Sequence, residues 1–262
     1  MNFVKNDLPS EFDEIEIEIF SDLHLGSKKC DFPLIQERID RVKDNDNVYA
    51  IILGDICNTA LKNSKSDVYE DQLRPKEQLD QACMLFEPIK HKILGICQGN
   101  HEQRIDKETN IDILYLMARQ LDIADKYGAT ACLLFIRFGH QRYTRDTKNS
   151  GRKVCYTLYM THGSGGGSTV GAKANSLERR GQIVDSDIVC IGHTHMPITF
   201  RTASYKVDPQ NNSAYTKEQV FVNASATLDH ESYAERIGCK PSSKISPVII
   251  LNGKYKKVLV RL

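Results

Sequence analysis

Tryptophan is absent from this 262-residue chain, and with it the broadest surface on which bases of single-stranded nucleic acid stack. Charge excess is absent too. Thirty-five basic side chains face 34 acidic ones, for a net charge of +1, so no global electrostatic pull toward nucleic acid or an anionic surface acts on the chain. No run approaches the ~20 apolar residues of a membrane span. The opening MNFVKNDLPSEFDEIEIEIF lacks a basic-then-apolar leader pattern, so a cytoplasmic location and no membrane partner are expected. The eight cysteines include no C-x-x-C pair, which argues against a thiolate zinc site. Scattered singly, several within apolar runs such as YAIILGDIC and DIVCIG, they read as reduced, mostly buried thiols.

What is present is enough apolar residue, 40% of the chain, to bury a large core. The segment EIEIEIF (14–20) alternates strictly, predicting a strand with Ile15, Ile17 and Ile19 on one face and a polar face opposite. VYAIILGD (48–55) is a continuous apolar run and predicts a strand covered on both faces. HKILGICQGN (91–100) predicts a third strand running into a turn. Helices are predicted over 33–42, 75–86 and 111–121, with Pro75 suited to a first turn. The second half is richer in strand: 131–139 and 153–163 as a hairpin pair, then 187–195, 197–203, 219–226, 246–252 and 255–262, with one helix between 171 and 182. Alternating β and α followed by mainly β suits an α/β fold of two stacked sheets with helices outside. One domain over residues 1–262 is expected, because the second half would lack partners for its strand faces.

Charge is uneven. Glu11 to Glu18 is acidic, whereas the stretch from Arg137 to Lys153 carries Arg137, Arg142, Arg145, Lys148, Arg152 and Lys153 against Asp146. Such a surface can steer an anionic substrate; a solvated hairpin loop is the alternative. The glycine-rich stretch THGSGGGSTVGAKANSLERR (161–180) admits a linker, a phosphate-cradling loop, or a clear approach to His162. The cradle fails in detail, since Ala172 separates Gly171 from Lys173 and Ala174 follows.

Five short motifs stand where predicted strands end: SDLHLG (Asp22, His24), LGDIC (Asp55), QGNHE (Asn100, His101), MTHGS (His162) and GHTH (His193, His195). In α/β folds the carboxyl ends of strands form the rim where ligands bind. Carboxylate, imidazole and amide donors without thiolate favour Mn²⁺, Fe or Zn²⁺. Asp-x-His and His-x-His on an extended segment aim both side chains to one side. The glycines before Asp55, Asn100 and His193 permit sharp turns.

Together these motifs resemble the calcineurin-like metallophosphoesterase family, whose pattern D-x-H, G-D, G-N-H-[DE], H, G-H-x-H is met in full between about Ile15 and Leu251. The resemblance implies a four-layer αββα sandwich with two divalent metal ions, Mn²⁺ first and Fe or Zn²⁺ as alternatives. It implies Asp22, His24 and His195 on one metal, Asp55 bridging, and Asn100, His162 and His193 on the other, with His101 facing the substrate as a catalytic group rather than a ligand. A metal-bound hydroxide would then attack a phosphate ester directly, with no phospho-enzyme.

The linker reading of 161–180 fails under that resemblance, because His162 and His193 must converge. Gly163 to Gly167 are instead expected as a close-fitting lip of the site. Arg104, Gly165, Lys173, Arg179 and Arg180 are the expected substrate contacts. Serine/threonine protein phosphatases of this superfamily carry G-D-x-x-D-R-G where this chain has GDICNTA. Asn58 thus stands where their His-orienting Asp would be, and Thr59 where a phosphate-gripping Arg would be. SDLHLG and VFVNASA look more like the bacterial and phage phosphodiesterase and nuclease branch, although only about seventy residues follow GHTH, fewer than the DNA-repair exonucleases carry. Phosphodiesters, with DNA or RNA among the substrates, are therefore expected before phosphomonoesters or phosphoproteins. A non-catalytic scaffold of the same fold is the rival, and scaffolds lose ligands that this chain keeps.

Overall fold

The strict alternation of EIEIEIF becomes strand β2 (Glu14–Phe20), and the apolar runs that follow become β3 (Val48–Ile52) and β4 (Ile93–Cys97). Helices α1 (Phe32–Asp44) and α2 (Pro75–Phe86) link them, giving two parallel crossovers. These positions come from a computed structural model, which describes residues 1–61, 69, 71–142, 152–165, 167, 169–229 and 243–262. After β4 come α3 (Glu102–Thr109), α4 (Ile113–Gln120) and the short β5 (Tyr127–Gly128). The remaining elements are β6 (Cys132–Phe138), β7 (Val154–Thr161), α5 (Val170–Gly181), β8 (Ile188–Ile191), β9 (Ile198–Asp208), β10 (Ser213–Asn223), β11 (Val248–Asn252) and β12 (Val258–Arg261). Strand β1 (Asn2–Asp7) lies ahead of them all.

Among the described residues, twelve strands form two six-stranded sheets, ordered β1-β6-β7-β8-β10-β9 and β12-β11-β2-β3-β4-β5. Ile15, Ile17 and Ile19 face Leu134, Ile136, Phe138, Tyr156 and Leu158 across the space between the sheets. On the outer face of the second sheet, Phe20, Ala50, Ile52 and Ile96 pack with Ile35, Ile39, Phe86, Leu114 and Met117 of the helices. On the outer face of the first, Leu177 of α5 packs with Tyr159, Val189 and Phe221. The layers are therefore helix, sheet, sheet, helix, as expected. Among the described residues, no helix is long and apolar enough to cross a membrane.

Several expectations are corrected. The polar face of β2 meets water at Glu14 but not at Glu18, which is buried where α1 covers this face with basic side chains. Arg38 donates to Glu18 at 3.2 Å and lies 4.8 Å over the Phe20 ring, while Arg41 holds both Glu16 and Glu18. A carboxylate facing a sheet–helix interface survives only when paired. β1, which carries no alternation signal, adds in parallel to β6. The β9–β10 hairpin runs eleven residues a side, longer than its apolar core suggests, with an outer half that is exposed to solvent, Tyr205, Val207 and Tyr215 included. No disulfide occurs among the described cysteines, although Cys155 is exposed rather than buried.

The buried ion pair supplies a test. Glu18→Ala leaves the Arg38 guanidinium uncompensated and is expected to cost about 3 kcal/mol or more, read as a lowered urea midpoint. Glu18→Leu combined with Arg38→Met removes both charges and should cost less.

Candidate metal centre

All five motif loops leave the carboxyl ends of parallel strands at one end of the sandwich: β2, β3 and β4 from one sheet, β7 and β8 from the other. The side chains do not converge by strand alternation, as Asp-x-His on an extended segment would require. Asp22, His24, Asp55, His193 and His195 instead take left-handed backbone angles, with φ between 50° and 66°. Asp and His tolerate this region better than most residues, and alternate left-handed residues turn paired ligands inward. The loops are also closely apposed. A Cβ on Gly54 would stand 2.2 Å from the Gly99 nitrogen, and one on Gly99 would stand 2.2 Å from Asp55 Oδ1. Neither position admits a side chain.

Three overlapping groups each place their donor atoms within 4.8 Å of one another: Asp22–His24–His195, His24–Asp55–His101 and Asp55–His162–His193. In Asp22, His24, Asp55 and His162, one polar atom of the side chain is tied to the protein and the other is aimed into the shared space. Asp22 Oδ2 accepts from the His193 N–H at 3.0 Å and from Ser21. Its Oδ1 receives no hydrogen bond although His195 Nε2 is 3.0 Å away. His24 donates Nδ1–H to Asn58 Oδ1 at 3.1 Å, leaving a buried Nε2 without a hydrogen-bond partner. Asp55 Oδ1 accepts from the His101 N–H at 2.8 Å, and Oδ2 lies 3.2 Å from His162 Nε2. His162 donates Nδ1–H to the Leu53 carbonyl at 2.7 Å, and its Nε2 also lies 3.0 Å from Asn100 Oδ1. Fixing one imidazole nitrogen so that the other presents a lone pair is how proteins prepare metal ligands. The donor set fits divalent cations.

The electrostatics agree. Burial opposes charge on Asp22 and Asp55, yet His195 beside the one and His162 beside the other hold both carboxyls well below the usual range. Burial would lower His162 as well, but Asp55 outweighs it and pushes the imidazole up to about 10. His24 goes the other way, lowered to about 3 by burial and by neighbouring His101. The carboxylates thus demand positive charge at the centre of the cluster, which a proton or a metal cation can satisfy.

His101 has both nitrogens committed: Nδ1 lies 2.8 Å from the Asn58 carbonyl and Nε2 lies 2.9 Å from Arg104 Nη2. A carbonyl only accepts and a guanidinium only donates, so the ring is neutral, with hydrogen on Nδ1 and a lone pair on Nε2. Burial lowers its pKa, consistent with that form. The Asn58 side chain does not orient His101; it holds His24, and only its backbone carbonyl reaches His101. Thr59 donates its hydroxyl to the His101 carbonyl at 2.5 Å.

The expected substrate contacts divide. Arg104 is beside His101. Lys173 Nζ donates to the Thr194 carbonyl at 2.8 Å, between His193 and His195. Arg180 binds the Ser164 carbonyl and hydroxyl at 3.1 and 2.8 Å, tethering the glycine turn to α5. Arg179 is exposed. Gly165 has φ of +95° and nothing within 4 Å of where its Cβ would be. Its turn therefore needs glycine for backbone conformation and not for close fit; Gly166 lies outside the described residues. Of the basic stretch, the described Arg142, Arg152 and Lys153 lie at the end of β7 opposite His162, with the Arg142 N–H on the Lys254 carbonyl, eight residues of strand or about 26 Å from that histidine. Arg145 and Lys148 lie outside the described residues.

Glu102 has no expected role from sequence, although it closes the QGNHE motif. It is fully buried at the start of α3 and accepts three backbone N–H groups: Asp55 at 3.0 Å, Cys57 at 2.9 Å and Gly99 at 3.0 Å. Burial, with Asp55 adding to it, pushes its carboxyl up to about 7. A buried acid one position after a predicted site residue is the signal that marks it.

Comparison with known proteins places residues 16–197 in register with the calcineurin-like phosphoesterase family. No curated protein sequence matches the chain. Similar solved structures include a predicted phosphoesterase of Streptococcus pneumoniae TIGR4 (13% identity, 95% of this chain and 99% of that one, TM-score 0.37). Vacuolar Protein Sorting 29 of Cryptosporidium parvum is also similar (13%, 95% and 97%, TM-score 0.45), as is nuclease MPE of Pseudomonas putida (14%, 94% and 87%, TM-score 0.35).

Two outcomes are expected. Mn²⁺ added to chelator-treated protein at 100 times its dissociation constant should stabilise folding by about 2.7 kcal/mol per independent site, read as a rise in thermal midpoint that chelator reverses. Glu102→Gln, whose amide accepts through one oxygen only, should lower stability by about 1–3 kcal/mol and weaken Mn²⁺ uptake in equilibrium dialysis.

Proposed function

Because the chain belongs to the calcineurin-like phosphoesterase family, we propose that it is a metal-dependent phosphoesterase with a dinuclear centre, acting on phosphodiesters before monoesters. Asp22, His24 and His195 would hold one cation, Asn100, His162 and His193 the other, and Asp55 would be shared. The observation that carries this reading is the set of inward-facing donor atoms whose opposite atoms are tied to the protein. When bound, two divalent cations supply Lewis acidity to phosphoryl oxygens and lower the pKa of water for in-line attack. Mn²⁺ is the proposed metal, with Fe or Zn²⁺ as alternatives.

The chain's own residues would do the rest. Arg104 brings from α3 the cation that Thr59 lacks, and its fixed charge stands beside the cluster where a phosphate would gather negative charge. His101 orients that guanidinium through Nε2 and has no proton to give a leaving oxygen while Arg104 occupies it. Electrostatic stabilisation is therefore the role proposed for the His101–Arg104 pair, in place of general acid catalysis. Lys173 and Arg180 position the GHTH loop and the glycine turn, which leaves Arg179 as the exposed cation on that side for a substrate's flanking phosphate. The same reading takes residues 1–262 as one cytoplasmic domain, since both sheets supply ligands. With Arg142, Arg152 and Lys153 at the far end of β7, DNA or RNA as substrate rests on the diester preference and not on their charge.

The test is a panel of bis-p-nitrophenyl phosphate, p-nitrophenyl phosphate and labelled single- and double-stranded DNA, with Mn²⁺. Turnover of the diester above the monoester is expected; no turnover on any of them with metal bound would remove the enzyme reading for these classes. His101→Ala should keep metal content and lower turnover by about 10²–10³-fold. Asp55→Ala should lose metal. Loss of metal from His101→Ala would overturn its assignment as a non-ligand.

A further inference from the structure

We propose that Asp71 is a positioning residue for the metal centre: through Asn58 it fixes the His24 ring in the one tautomer that presents Nε2 to a divalent cation. The proposal deepens the reading above and rests on metal binding at His24. Asp71 belongs to none of the motifs. It precedes α2 and is pinned to the segment just beyond His24 by a bridge to Ser27 and by the Gln72 N–H on the Gly26 carbonyl at 2.7 Å.

Its carboxylate is spent entirely on one neighbourhood. Oδ1 accepts from Asn58 Nδ2. Oδ2 accepts from the Ala60 N–H at 3.1 Å and from Gln78 Nε2 at 3.1 Å. Gln78, itself fully buried, accepts the Thr59 N–H at 2.9 Å and donates to the Leu73 carbonyl at 2.8 Å. Residues 58, 59 and 60 are thereby held as one turn.

The consequence lies in the polarity of the Asn58 amide. An amide has a donating end and an accepting end, and a 180° turn about its last bond exchanges them at almost no steric cost. A carboxylate accepts only, so Asp71 claims the Nδ2 end and leaves Oδ1 for His24. Oδ1 accepts only, so His24 Nδ1 must carry the hydrogen and Nε2 the lone pair. Without Asp71 the amide can offer Nδ2 to His24 instead; Nδ1 then takes the lone pair, the hydrogen moves to Nε2, and the ring ceases to be a ligand. The relay Asp71–Asn58–His24 also places a full negative charge at one remove from the imidazole, where an asparagine alone has none.

Mn²⁺ binding by equilibrium dialysis and ¹⁵N chemical shifts of the histidine side chains in metal-free protein give two readouts independent of turnover. Wild type should show His24 as the Nδ1–H tautomer. Asp71→Ala should show a mixture and bind Mn²⁺ at one of the sites about 10–100-fold more weakly. The exchange Asn58→Asp with Asp71→Asn puts the carboxylate directly on His24 Nδ1–H and should restore both tautomer and affinity. A merely structural loop contact predicts no such rescue. Unchanged tautomer and affinity in folded Asp71→Ala, or failure of the exchange to restore either, overturns the proposal. Should wild type take up no Mn²⁺, the phosphoesterase reading fails, while the tautomer comparison still decides for or against Asp71.

Discussion

The Glu102 carboxylate accepting three backbone N–H groups is the contact on which the arrangement of the site depends. Asp55 and Cys57 contribute from the loop after β3, and Gly99 contributes from the loop after β4. Backbone donors at strand ends have no ladder partner and must be satisfied some other way. One buried carboxylate satisfies three and binds two neighbouring loops into a single rigid piece. Gly54 and Gly99 permit the loops to approach closely enough for this. Asp55 then leaves that piece at a fixed angle, and the His101 amide takes one of its oxygens.

The second sheet is locked to the first by contacts of the same kind. The His162 ring, delivered by β7, hangs from the Leu53 carbonyl at the end of β3. Asp22, delivered by β2, takes the His193 N–H beyond β8. Each is a cross-sheet hydrogen bond made by a candidate ligand side chain using the atom it does not offer inward. The centre is thus assembled from both sheets, and the sandwich core of isoleucines and leucines sets the distance between its halves.

Much of the framework was legible because periodicity reports burial. Alternation marked β2, continuous apolar runs marked β3 and β4, and α1, α2, α4 and α5 stand where helices were expected from sequence, whereas α3 was not expected. The side chains that gather into the candidate metal-holding groups were legible because glycine next to Asp, Asn or His at a strand end is a compact signal. What stayed hidden is what depends on tertiary contact. β1 has no pattern of its own and is a strand only because β6 offers an edge. The outer face of β2 reads as solvent-exposed until α1 places arginines over it. The left-handed turns at Asp22 and His24 are set by their neighbours, so an extended segment was the natural expectation. Charge composition alone could not say that Arg142, Arg152 and Lys153 flank β7 at the end away from His162. Asp71 and Gln78 act through hydrogen bonds to a distant loop, and no local spacing announces that.

The five left-handed residues carry a further consequence. A non-glycine residue in this region costs of order 1 kcal/mol or more, so together they cost about 5 kcal/mol, comparable with the entire margin by which a domain stays folded. Glycine would relieve most of that at every one of the five and would delete a candidate ligand each time. Stability and chemistry therefore pull these positions in opposite directions. A lineage selected for heat resistance alone would lose the centre one residue at a time while keeping both sheets intact, and what remained would be a sturdier shell of the same shape.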